Sequence, residues 1–554
     1  MNQRILTEKH LWESSEYFDV QTRYAAMNMT EENEIISCFA TDLTFGTGGL
    51  REVMGIGTAH INRYTIRKAS AGLAEYLIQR VTNPCVVIAY DSRHHSAEYA
   101  METALTLVSY GIKTMLFSEI APTPQLSFAV RYLGCNAGVV ITASHNPKEY
   151  NGYKVYGSDG CQATPAMAEE IGRCISHITN VTKIQPCEKS KAVESGMLSF
   201  VEQDVSEAFI KEVLFQRADL SPKMREELSV VYTPLHGTGR VPVQRVLHKL
   251  KYHPLTVTEQ EEPNGDFPTV VSPNPENPAA LSMGIRLAEK VGADIVLGTD
   301  PDSDRVGVAI RVDTGYRLLS GNQIGAILTD FLVLQGRATN NSVLIKTIVT
   351  NDLGAEIAKA NGISVRETLT GFKFIGEQIT LMEQNNSGSF FFGYEESYGF
   401  LAGTHVRDKD AVVSSMLLCE AAAFAKSKRR TLWDWINDLY QKYGYYYDAL
   451  DTYDMTELGG REKMDRILTS FRMQGIRCFE NVERVLDYQN GIGELPPSNV
   501  LKFVFCGGSW LAIRPSGTEP KMKIYYSIKS SDRKDGIRIQ EQWQKKIYKI
   551  IHNT

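Results

Sequence analysis

Short apolar runs alternate along the chain with stretches in which apolar residues recur every third or fourth position. The runs predict buried strands, and the recurring positions predict amphipathic helices that cover them. After a charged, helical leader over residues 1–40, this alternation fills the first third of the chain. It predicts helices over about 65–81 and 97–110 and from about 122, and strands over 85–90, 114–117 and 137–141. Such alternation is typical of a parallel or mixed sheet between helices.

The alternation restarts twice further along the chain. A polar segment near 180–200 ends the first round. The second round is predicted to contain strands at 228–232 and 295–297 and a helix at 278–291. The third round, from about 318, is predicted to contain strands at 343–348, 365–369 and 390–392. Beyond 445 the pattern changes to a helix, two strand-like runs and a final helix. We therefore predict an α/β fold of three α/β domains with mixed sheets and a smaller C-terminal α+β domain: residues 1–200, 201–315, 316–444 and 445–554.

Composition restricts the class of protein without identifying it. The 554 residues are too many for one core and indicate about three or four domains. The formal charge of −6 argues against a nucleic-acid partner, and neither a signal segment nor an apolar stretch long enough to cross a membrane is visible. The nine cysteines are scattered, and none forms a C-x-x-C pair. We therefore expect a cytoplasmic protein with free thiols. Its 43% of hydrophobic residues is ordinary for a globular enzyme.

The most unusual loop lies in residues 141–156. It begins where the apolar run 137–141 ends, and it reads Ile-Thr-Ala-Ser-His-Asn-Pro-Lys-Glu-Tyr-Asn-Gly-Tyr-Lys-Val-Tyr. Ser144 lies beside a His, an Asn and a Pro, and Lys154 follows ten residues later. A serine in this place is a nucleophile or the carrier of an acidic group, and the alternative is an ordinary Ser-His-Asn turn. His145 is either a general acid/base or a residue that orders the loop.

A second loop concentrates negative charge. Asp300, Asp302 and Asp304 alternate shortly after the predicted strand 295–297, so their carboxylates can turn towards one point. Ligand sets made only of oxygen favour a hard ion such as Mg²⁺ over zinc. An EF-hand calcium loop is excluded, because its sixth and twelfth positions hold arginine here instead of Gly and Glu. A solvated acidic turn is the alternative, and Arg305 offers a phosphate-binding fork beside the metal.

Further loops offer groups that bind phosphate or sugar. Residues 514–518, Arg-Pro-Ser-Gly-Thr, combine a guanidinium, two hydroxyls and glycine amides, although a plain hairpin turn would read similarly. Glu395 and Ser397 suit sugar hydroxyls, although an acidic hairpin tip would look alike. Lys373 and Lys409 are cations that can meet a phosphate, but lysines are common on helix surfaces.

Familiar catalytic motifs are absent from the sequence. It contains no P-loop, no G-x-S-x-G nucleophile elbow and no H-E-x-x-H zinc motif. Residues 44–51 form a Gly-rich turn that ends in Arg51, and its Thr-Gly-Gly at 47–49 is too short a match for a nucleotide site. A serine loop together with a triple-aspartate loop and separate cationic and hydroxyl-rich loops points to phosphoryl transfer.

Together these loops resemble those of the α-D-phosphohexomutase superfamily, over nearly the whole chain. Residues 142–147, Thr-Ala-Ser-His-Asn-Pro, are similar to its phosphoserine loop, and residues 300–305 to its magnesium loop. Residues 393–399, Gly-Tyr-Glu-Glu-Ser-Tyr-Gly, resemble its sugar-binding loop, and residues 514–520 its phosphate-binding loop. The stretches most similar to the branch that holds long bacterial phosphoglucomutases and eukaryotic phosphopentomutases are 46–51 and 370–376.

The resemblance implies four domains around a central cleft and a serine that carries a phosphoryl group. Ser144 would be phosphorylated at rest and, with the three aspartates, would bind one Mg²⁺ per chain. Its implied catalytic partners are His145, Lys154 and Arg51. The implied substrate-binding residues are Arg305, Thr370, Gly371, Lys373, Glu395, Ser397, Lys409, Arg514, Ser516, Gly517 and Thr518. Tyr394 stands where a family pattern has Gly, so the sugar preference is the least determined inference.

The implied activity is the interconversion of glucose 1-phosphate and glucose 6-phosphate. Ser144 would give its phosphoryl group to the sugar and take back the other phosphate after reorientation, with glucose 1,6-bisphosphate as intermediate and activator. Phosphopentomutase and phosphomannomutase activities are alternatives, the first because the same branch contains it. A non-catalytic phosphosugar-binding protein and a phosphate-releasing hydrolase are alternatives of a different class. The sequence leaves open whether the chain is a monomer or a homodimer.

Overall fold

The structure is a computed structural model that describes residues 2–46, 48–455, 460–515 and 521–553. The chain forms two compact units. The first unit contains Met1–Leu318, Gly376–Gln384 and Leu401–Glu420. The second unit contains Leu319–Ile375, Asn385–Phe400 and Ala421–Thr554.

The charged leader folds into three helices with a small core of their own. These are α1 (Gln3–Ser14), α2 (Val20–Asn28) and α3 (Glu32–Phe39). Trp12 is 1% exposed and stacks on Phe18, with ring centroids 4.5 Å apart. Tyr64, from the next helix, closes the same cluster. The outer faces of these helices are polar, which explains why the sequence of the leader is rich in charged residues although the inner faces are buried.

The first sheet is mixed and has the strand order β1-β5-β4-β2-β3-β6. Its strands are β1 (Gly49–Val53), β2 (Cys85–Tyr90), β3 (Lys113–Phe117), β4 (Ala137–Ile141), β5 (Tyr150–Gly157) and β6 (Leu198–Val201). Its helices are α4 (Arg63–Ile78), α5 (Ser96–Ser109), α6 (Thr123–Tyr132), α7 (Pro165–His177), a 3₁₀ turn (Val181–Lys183) and α8 (Lys189–Glu194). Strands β2, β3, β4 and β6 are parallel, and β5 pairs with β4 in the antiparallel sense.

Local sequence explains the elements that lead to the serine loop. All five residues of β4 are buried, as a short apolar run predicts. Helix α6 begins with a proline in its first turn, where the missing N–H costs nothing. The strand β5 is not predicted, because Tyr-Asn-Gly-Tyr-Lys mixes polar and apolar residues. Its pairing with β4 places Lys154 opposite Val140.

The second sheet completes the first unit and has the order β11-β10-β9-β7-β8. It follows α9 (Gln203–Phe215) and α10 (Pro222–Glu226). Its elements are β7 (Val230–Thr233), α11 (Arg240–Lys249), β8 (Leu255–Thr256), α12 (Thr258–Glu261), α13 (Pro278–Val291), β9 (Ile295–Thr299), β10 (Val306–Val312) and β11 (Gly315–Leu318). Strand β9 is parallel to β7 and buried throughout, and it ends directly before Asp300.

The third sheet has the order β13-β12-β14-β15, with β12 parallel to both neighbours. Its strands are β12 (Ser342–Thr347), β13 (Ser364–Thr368), β14 (Ser389–Glu395) and β15 (Gly399–Leu401). The accompanying helices are α14 (Gly321–Leu334), α15 (Leu353–Ala360), α16 (Phe372–Asn385), α17 (Ala411–Ser427) and α18 (Leu432–Tyr443).

The fourth sheet is antiparallel, with the order β16-β20-β19-β18-β17. Its strands are β16 (Tyr445–Asp454), β17 (Val482–Asp487), β18 (Leu501–Phe505), β19 (Trp510–Pro515) and β20 (Lys521–Ser530). The helices are α19 (Gly460–Gln474) and α20 (Arg533–Asn553), and the 3₁₀ turns are Gly475–Cys478 and Tyr488–Asn490. Phe471 and Trp543 from the two helices share a core with Leu511 and Ile524 of the sheet.

The predicted α/β class with mixed sheets is confirmed. The domain limits at 200, 315 and 444, and the central cleft, stay predictions. Among the described residues, no helix combines the length and the apolar character needed to span a membrane.

Candidate active site

Ser144 lies in a tight turn directly after β4. The Oγ1 of Thr142 accepts a hydrogen bond from the backbone N–H of Ser144 at 2.8 Å. Ser144 has a left-handed φ of 53°, a conformation that a residue with a side chain keeps only where its surroundings hold it. Its side chain is almost fully buried. The turn therefore presents a fixed hydroxyl at the carboxyl edge of the first sheet, where ligands of such sheets bind.

Asp91 and Arg93, which follow the neighbouring strand β2, hold this turn. Asp91 accepts a hydrogen bond from Thr142 Oγ1 at 2.6 Å, so Thr142 links that carboxylate to the N–H of Ser144. Arg93 donates to the carbonyl oxygens of Ser144 at 2.6 Å and of Pro147 at 2.8 Å. Its Nε lies 3.3 Å from Asp91, and both side chains are fully buried. Neither residue is predicted to be functional. The sequence feature that could have indicated them is a pair of opposite charges directly after a buried strand.

The three aspartates follow β9 in a similar way. Asp300 Oδ1 accepts the backbone N–H groups of Asp304 at 3.1 Å and of Arg305 at 3.0 Å, which curls the loop around its first carboxylate. Asp300, Asp302 and Asp304 are all buried. They offer carboxylate oxygens that lie within 4.8 Å of one another. The alternation seen in the sequence thus becomes a cluster of three converging carboxylates.

The turn after β7 packs against the aspartate loop and stabilises it. The backbone N–H and the Oγ1 of Thr238 both donate to the carbonyl oxygen of Pro301 at 2.8 Å. Gly237 is in such close contact that a Cβ there would lie 2.4 Å from Pro301 Cα. His236 belongs to the same turn, where its Nε2 is 2.9 Å from Thr269 Oγ1. The Gly-Thr-Gly end of this turn therefore has a packing role beneath the aspartates.

Two lysines lie against the carboxylates. Lys154 Nζ is 2.7 Å from Asp302 and 3.4 Å from Asp304, and Lys409 Nζ is 2.9 Å from Asp304. Burial raises the pKa of both aspartates, but the lysines more than offset it and leave each pKa below its usual value. Burial, and then the charges of Asp302 and Asp304, raise the pKa of Asp300 well above its usual range. Asp300 is therefore the carboxylate of the cluster whose negative charge its described neighbours compensate least.

These residues fit a hard divalent cation. Asp302 Oδ1 and Asp304 Oδ1 are buried and have no hydrogen-bond partner within the described part of the chain. Such buried acceptors are costly unless a cation or a donor satisfies them. The available ligands are oxygens, as Mg²⁺ prefers. Ser144 Oγ donates to Asp300 Oδ2 at 2.8 Å, so a group carried on the serine would adjoin the cation.

His145 and Arg51 complete the surroundings of the serine. His145 Nδ1 is 3.2 Å from Ser144 Oγ. Burial, followed by the positive charges of Arg305 and Arg51, lowers the pKa of His145 well below its usual value. The imidazole is therefore neutral near pH 7 and can accept a proton. Arg51, on β1, donates to Asn146 Oδ1 of the same turn at 3.3 Å.

Lys409 reaches the cluster through a buried hydrogen-bond network. Asp408 Oδ1 lies 3.3 Å from Lys409 Nζ, and Asp408 Oδ2 accepts the hydroxyl of Tyr156 at 2.8 Å. Tyr156 and Lys154 are two residues apart on β5, so they point to the same face of the sheet. Both lysines of the cluster thus depend on β5, although Lys409 is distant in the chain.

The predicted sugar loop lies at the end of β14 in the second unit. Glu395 is buried and Ser397 is half-buried. Glu396 Oε2 accepts hydrogen bonds from Thr347 Oγ1 at 3.2 Å and Thr350 Oγ1 at 3.1 Å. The middle residue of the loop is therefore tied to the end of β12, which fixes the position of its two neighbours.

Tyr394 fills a slot between two glycines. A Cβ at Gly325 or at Gly354 would lie 2.2 Å from the ring or the hydroxyl of Tyr394. The side chain is fully buried, beneath helices α14 and α15. Because side chains alternate along a strand, Tyr394 points away from the face of Glu395.

Lys346 connects the third sheet to the strand that carries Arg514. Its Nζ lies 2.7 Å from Glu367 and 3.0 Å from Asp352. Asp352 also accepts the indole N–H of Trp510 at 3.0 Å, and Trp510 begins β19. Arg514 lies near the end of β19 and is half-buried. Lys346 is not predicted to be functional; the sequence feature that could have indicated it is a lysine inside the apolar run of β12.

The remaining predicted residues lie around the start of α16 or outside the described residues. Thr370 Oγ1 is buried without a hydrogen-bond partner among the described residues, and Gly371 has a φ of 119°. Lys373 is buried, with Nζ 5.3 Å from the ring centroid of Phe374. The predictions that lie outside the described residues are Ser516, Gly517 and Thr518.

The predicted site residues thus fall into two groups. Those that the first unit brings to one place are Arg51, Ser144, His145, Lys154, Asp300, Asp302, Asp304, Arg305 and Lys409. Those that belong to the second unit are Thr370, Gly371, Lys373, Glu395, Ser397 and Arg514. A held serine beside an oxygen-only cation cluster, at the strand ends of an α/β unit, is the arrangement of an enzyme that handles a phosphoryl group.

Comparison with known families agrees with this class. Models of the phosphoglucomutase/phosphomannomutase family match in order, as α/β/α domains I, II and III and the C-terminal domain, at residues 42–182, 207–313, 320–443 and 468–541. The chain belongs to the phosphoglucomutase/phosphomannomutase family. The family resemblance inferred from the loops is therefore confirmed.

Relatives of similar length include two named phosphoglucomutases. One from Staphylococcus saprophyticus is 36% identical over 90% of this chain and 92% of its own length. One from Staphylococcus epidermidis is 39% identical over 88% of this chain and 91% of its own length. Among solved structures, parafusin of Paramecium, described as a phosphoglucomutase, aligns with a TM-score of 0.71 at 18% identity, over 93% of this chain and 96% of that one. This last likeness supports the fold alone.

Replacing Arg93 should destabilise the first unit. Arg93→Met leaves Asp91 buried without its cation, which should lower the free energy of unfolding by about 3–5 kcal/mol. Arg80→Met is the matched control, because its ion pair with Glu170 is more than a third exposed on both sides and should contribute less than about 1 kcal/mol. Denaturant-induced unfolding followed by circular dichroism measures both variants. Equal losses would contradict the role given to Arg93.

Removing one aspartate charge should weaken metal binding. Asp302→Asn should lower the affinity for Mg²⁺ by at least about tenfold, or 1.4 kcal/mol, because one of three anionic ligands is lost. Asp313→Asn is the control, since Asp313 is exposed in the turn between β10 and β11. Calorimetric titration of the protein with MgCl₂ measures both affinities. Unchanged binding in Asp302→Asn would remove the cluster from the metal site.

Proposed function

We propose that the chain interconverts glucose 1-phosphate and glucose 6-phosphate through a phosphorylated Ser144. The observation that carries this proposal is the contact of Ser144 Oγ with Asp300, 2.8 Å long, at the edge of a buried cluster of three carboxylates. A serine that acts on an acyl group needs a base and an oxyanion site, not a neighbouring set of anions. A serine that carries phosphate beside a divalent cation suits these surroundings.

The first half-reaction moves a phosphoryl group from the enzyme to the sugar. The bond between phosphorus and Ser144 Oγ breaks, and a bond forms to the 6-hydroxyl oxygen of glucose 1-phosphate, which gives glucose 1,6-bisphosphate. The proton of that hydroxyl ends on Ser144 Oγ. After the bisphosphate turns, its 1-phosphoryl group passes to Ser144 Oγ and leaves glucose 6-phosphate, while the serine proton ends on the sugar oxygen.

Residues of the first unit have separate tasks in this exchange. Neutral His145, 3.2 Å from Ser144 Oγ, is the proposed proton carrier. Lys154, Arg51 and Arg305 attract the negative oxygens of the phosphoryl group, and Asp91 with Arg93 keeps the serine turn in place. A Mg²⁺ held by the three aspartates would supply further positive charge to the transferring group.

Residues of the second unit are proposed to bind the rest of the substrate. Glu395 and Ser397 would bind sugar hydroxyls, and Arg514 would bind the phosphate that does not react. The further proposed contacts to the substrate are those of Thr370, Gly371, Lys373, Lys409, Ser516, Gly517 and Thr518. The names of the relatives in two Staphylococcus species support glucose as the sugar.

Glucose 1,6-bisphosphate is the proposed activator, because it can phosphorylate an empty Ser144. We propose a cytoplasmic monomer or homodimer that acts on small sugar phosphates and uses no nucleic-acid or membrane partner. The formal charge of −6 supports the absence of a nucleic-acid partner, and the lack of a C-x-x-C pair in the sequence supports the cytoplasmic location.

The serine should be found phosphorylated. The protein incubated with glucose 1,6-bisphosphate should gain one phosphoryl group in its intact mass, and Ser144→Ala should gain none. Ser109→Ala is the control, because its hydroxyl only bonds to the carbonyl of Thr106 within α5, and it should be phosphorylated like the wild type. A wild type that stays unmodified, or a phosphorylated Ser144→Ala, would contradict the phosphoserine mechanism.

Substrate choice separates the alternatives. With the bisphosphate activator and Mg²⁺, kcat/KM for glucose 1-phosphate should exceed that for ribose 1-phosphate and for mannose 1-phosphate by at least about tenfold, a 1.4 kcal/mol preference. Coupled assays that detect each product measure the three values. A higher kcat/KM for ribose 1-phosphate would make the chain a phosphopentomutase. Release of inorganic phosphate without a mutase product would make it a hydrolase, and binding without any turnover would leave a phosphosugar-binding protein.

A further inference from the structure

Cys85 and Cys135 lie side by side at the amino-terminal edge of the first sheet. Cys85 is the first residue of β2, and Cys135 stands two residues before β4, the parallel neighbour of β2. Their Sγ atoms are 3.2 Å apart. The candidate active site lies beyond the opposite ends of the same two strands. Neither thiol therefore takes part in the proposed phosphoryl transfer.

The backbone around the two thiols is held by direct hydrogen bonds. The N–H of Asn136 donates to the carbonyl oxygen of Cys85 at 2.8 Å, and the N–H of Cys85 donates to Asn136 Oδ1 at 2.9 Å. A disulfide bond is about 2.05 Å long, so the sulfurs need to approach by roughly 1.1 Å. Rotation of the two side chains is the movement that would supply this approach.

The two thiols differ in access and in acidity. Cys85 is partly exposed, whereas Cys135 is 2% exposed. The contact with Cys135 lowers the pKa of Cys85 against the effect of burial, helped by Lys113, its partner on β3. The same contact and burial raise the pKa of Cys135. An accessible thiol with a shielded thiol beside it is the arrangement in which one cysteine attacks the oxidant first and the other resolves the mixed disulfide.

We propose that Cys85 and Cys135 form an oxidation site that closes to a reversible disulfide with a low-molecular-weight disulfide such as oxidised glutathione. The Cys85 thiolate attacks one glutathione sulfur, and the other glutathione leaves as a thiolate with the bonding electron pair. Cys135 then loses its proton and attacks the Cys85 sulfur, so the second glutathione leaves in the same way. Two protein thiols are oxidised, and one molecule of oxidised glutathione is reduced to two thiols.

The cross-link joins β2 and β4 at the ends remote from Ser144. Strand β4 has five residues and so spans about 16 Å between the cysteine end and the serine end. A disulfide between residues 85 and 135 also restricts the unfolded chain over that whole segment, which favours the folded state. The oxidised protein should therefore unfold at a higher temperature than the reduced protein.

Mass spectrometry of the native protein tests the site. Reduced protein is incubated with excess oxidised glutathione, quenched with acid, alkylated and mapped by peptide digestion. We expect a cross-linked peptide that contains Cys85 and Cys135, lighter than the two reduced peptides by two hydrogen atoms and free of glutathione. In Cys135→Ser, glutathione should instead accumulate on Cys85. A wild type in which both thiols stay free, or in which Cys85 retains glutathione, would overturn the proposal.

Internal and thermal controls complete the experiment. Cys506 is exposed and should take up glutathione in every variant, which shows that the oxidant is active in each sample. Cys85→Ser should give neither the cross-link nor glutathione on Cys135. Oxidation should raise the unfolding temperature of the wild type by several degrees and leave that of Cys85→Ser unchanged. An equal shift in both proteins would assign the effect to other thiols and reject the Cys85–Cys135 cross-link as its cause.

Discussion

The burial of three carboxylates after one strand is the constraint on which the rest of the first unit's site depends. Their mutual repulsion and lost hydration both oppose ionisation. Lys154 and Lys409 lie against Asp302 and Asp304 from two separate segments, whereas the pKa of Asp300 stays raised by burial and by the two neighbouring carboxylates. A divalent cation added to the three carboxylates and two lysines would leave roughly one net positive charge, which would attract the proposed phosphate on Ser144 with its roughly two negative charges. The cluster would therefore suit a cation and the proposed phosphate together.

Strand ends alone do not explain how the serine turn meets the aspartate loop, because the two belong to different sheets. The start of α6 supplies a second connection. Thr123 donates its backbone N–H to the carbonyl oxygen of Asp302 and its Oγ1 to Asp302 Oδ2, both at 2.9 Å. The positive end of the helix dipole also favours this carboxylate. Ser144 and the aspartates thus keep their spacing through a helix that touches no reacting atom in the proposed mechanism.

The loops that carry the site were predictable because each follows a short apolar run, as at 137–141 and 295–297, and because parallel strands gather their carboxyl ends at one edge. The residues that hold the loops were not. Arg93 reads as a surface arginine until the carbonyl groups that it meets are known. Lys409 is expected from the sequence only as a substrate-binding cation, and no local pattern indicates its contact with Asp304 across a long stretch of chain. The polar loops could thus be located from the sequence, whereas the buried residues that hold them could be identified only in the fold.

Tyr394 shows how a departure from a family pattern can be structural. Its position beside Glu395 suggests an altered sugar contact, but its ring fills the slot that Gly325 and Gly354 leave open. A larger side chain at either glycine would collide with that ring, so the three residues form one packing unit. Because β-strand side chains alternate, a bulky residue here can anchor β14 beneath its helices without occupying the face of Glu395. The tyrosine then steadies the proposed sugar loop, and in our proposal Glu395, Ser397 and the residues around them discriminate among sugars.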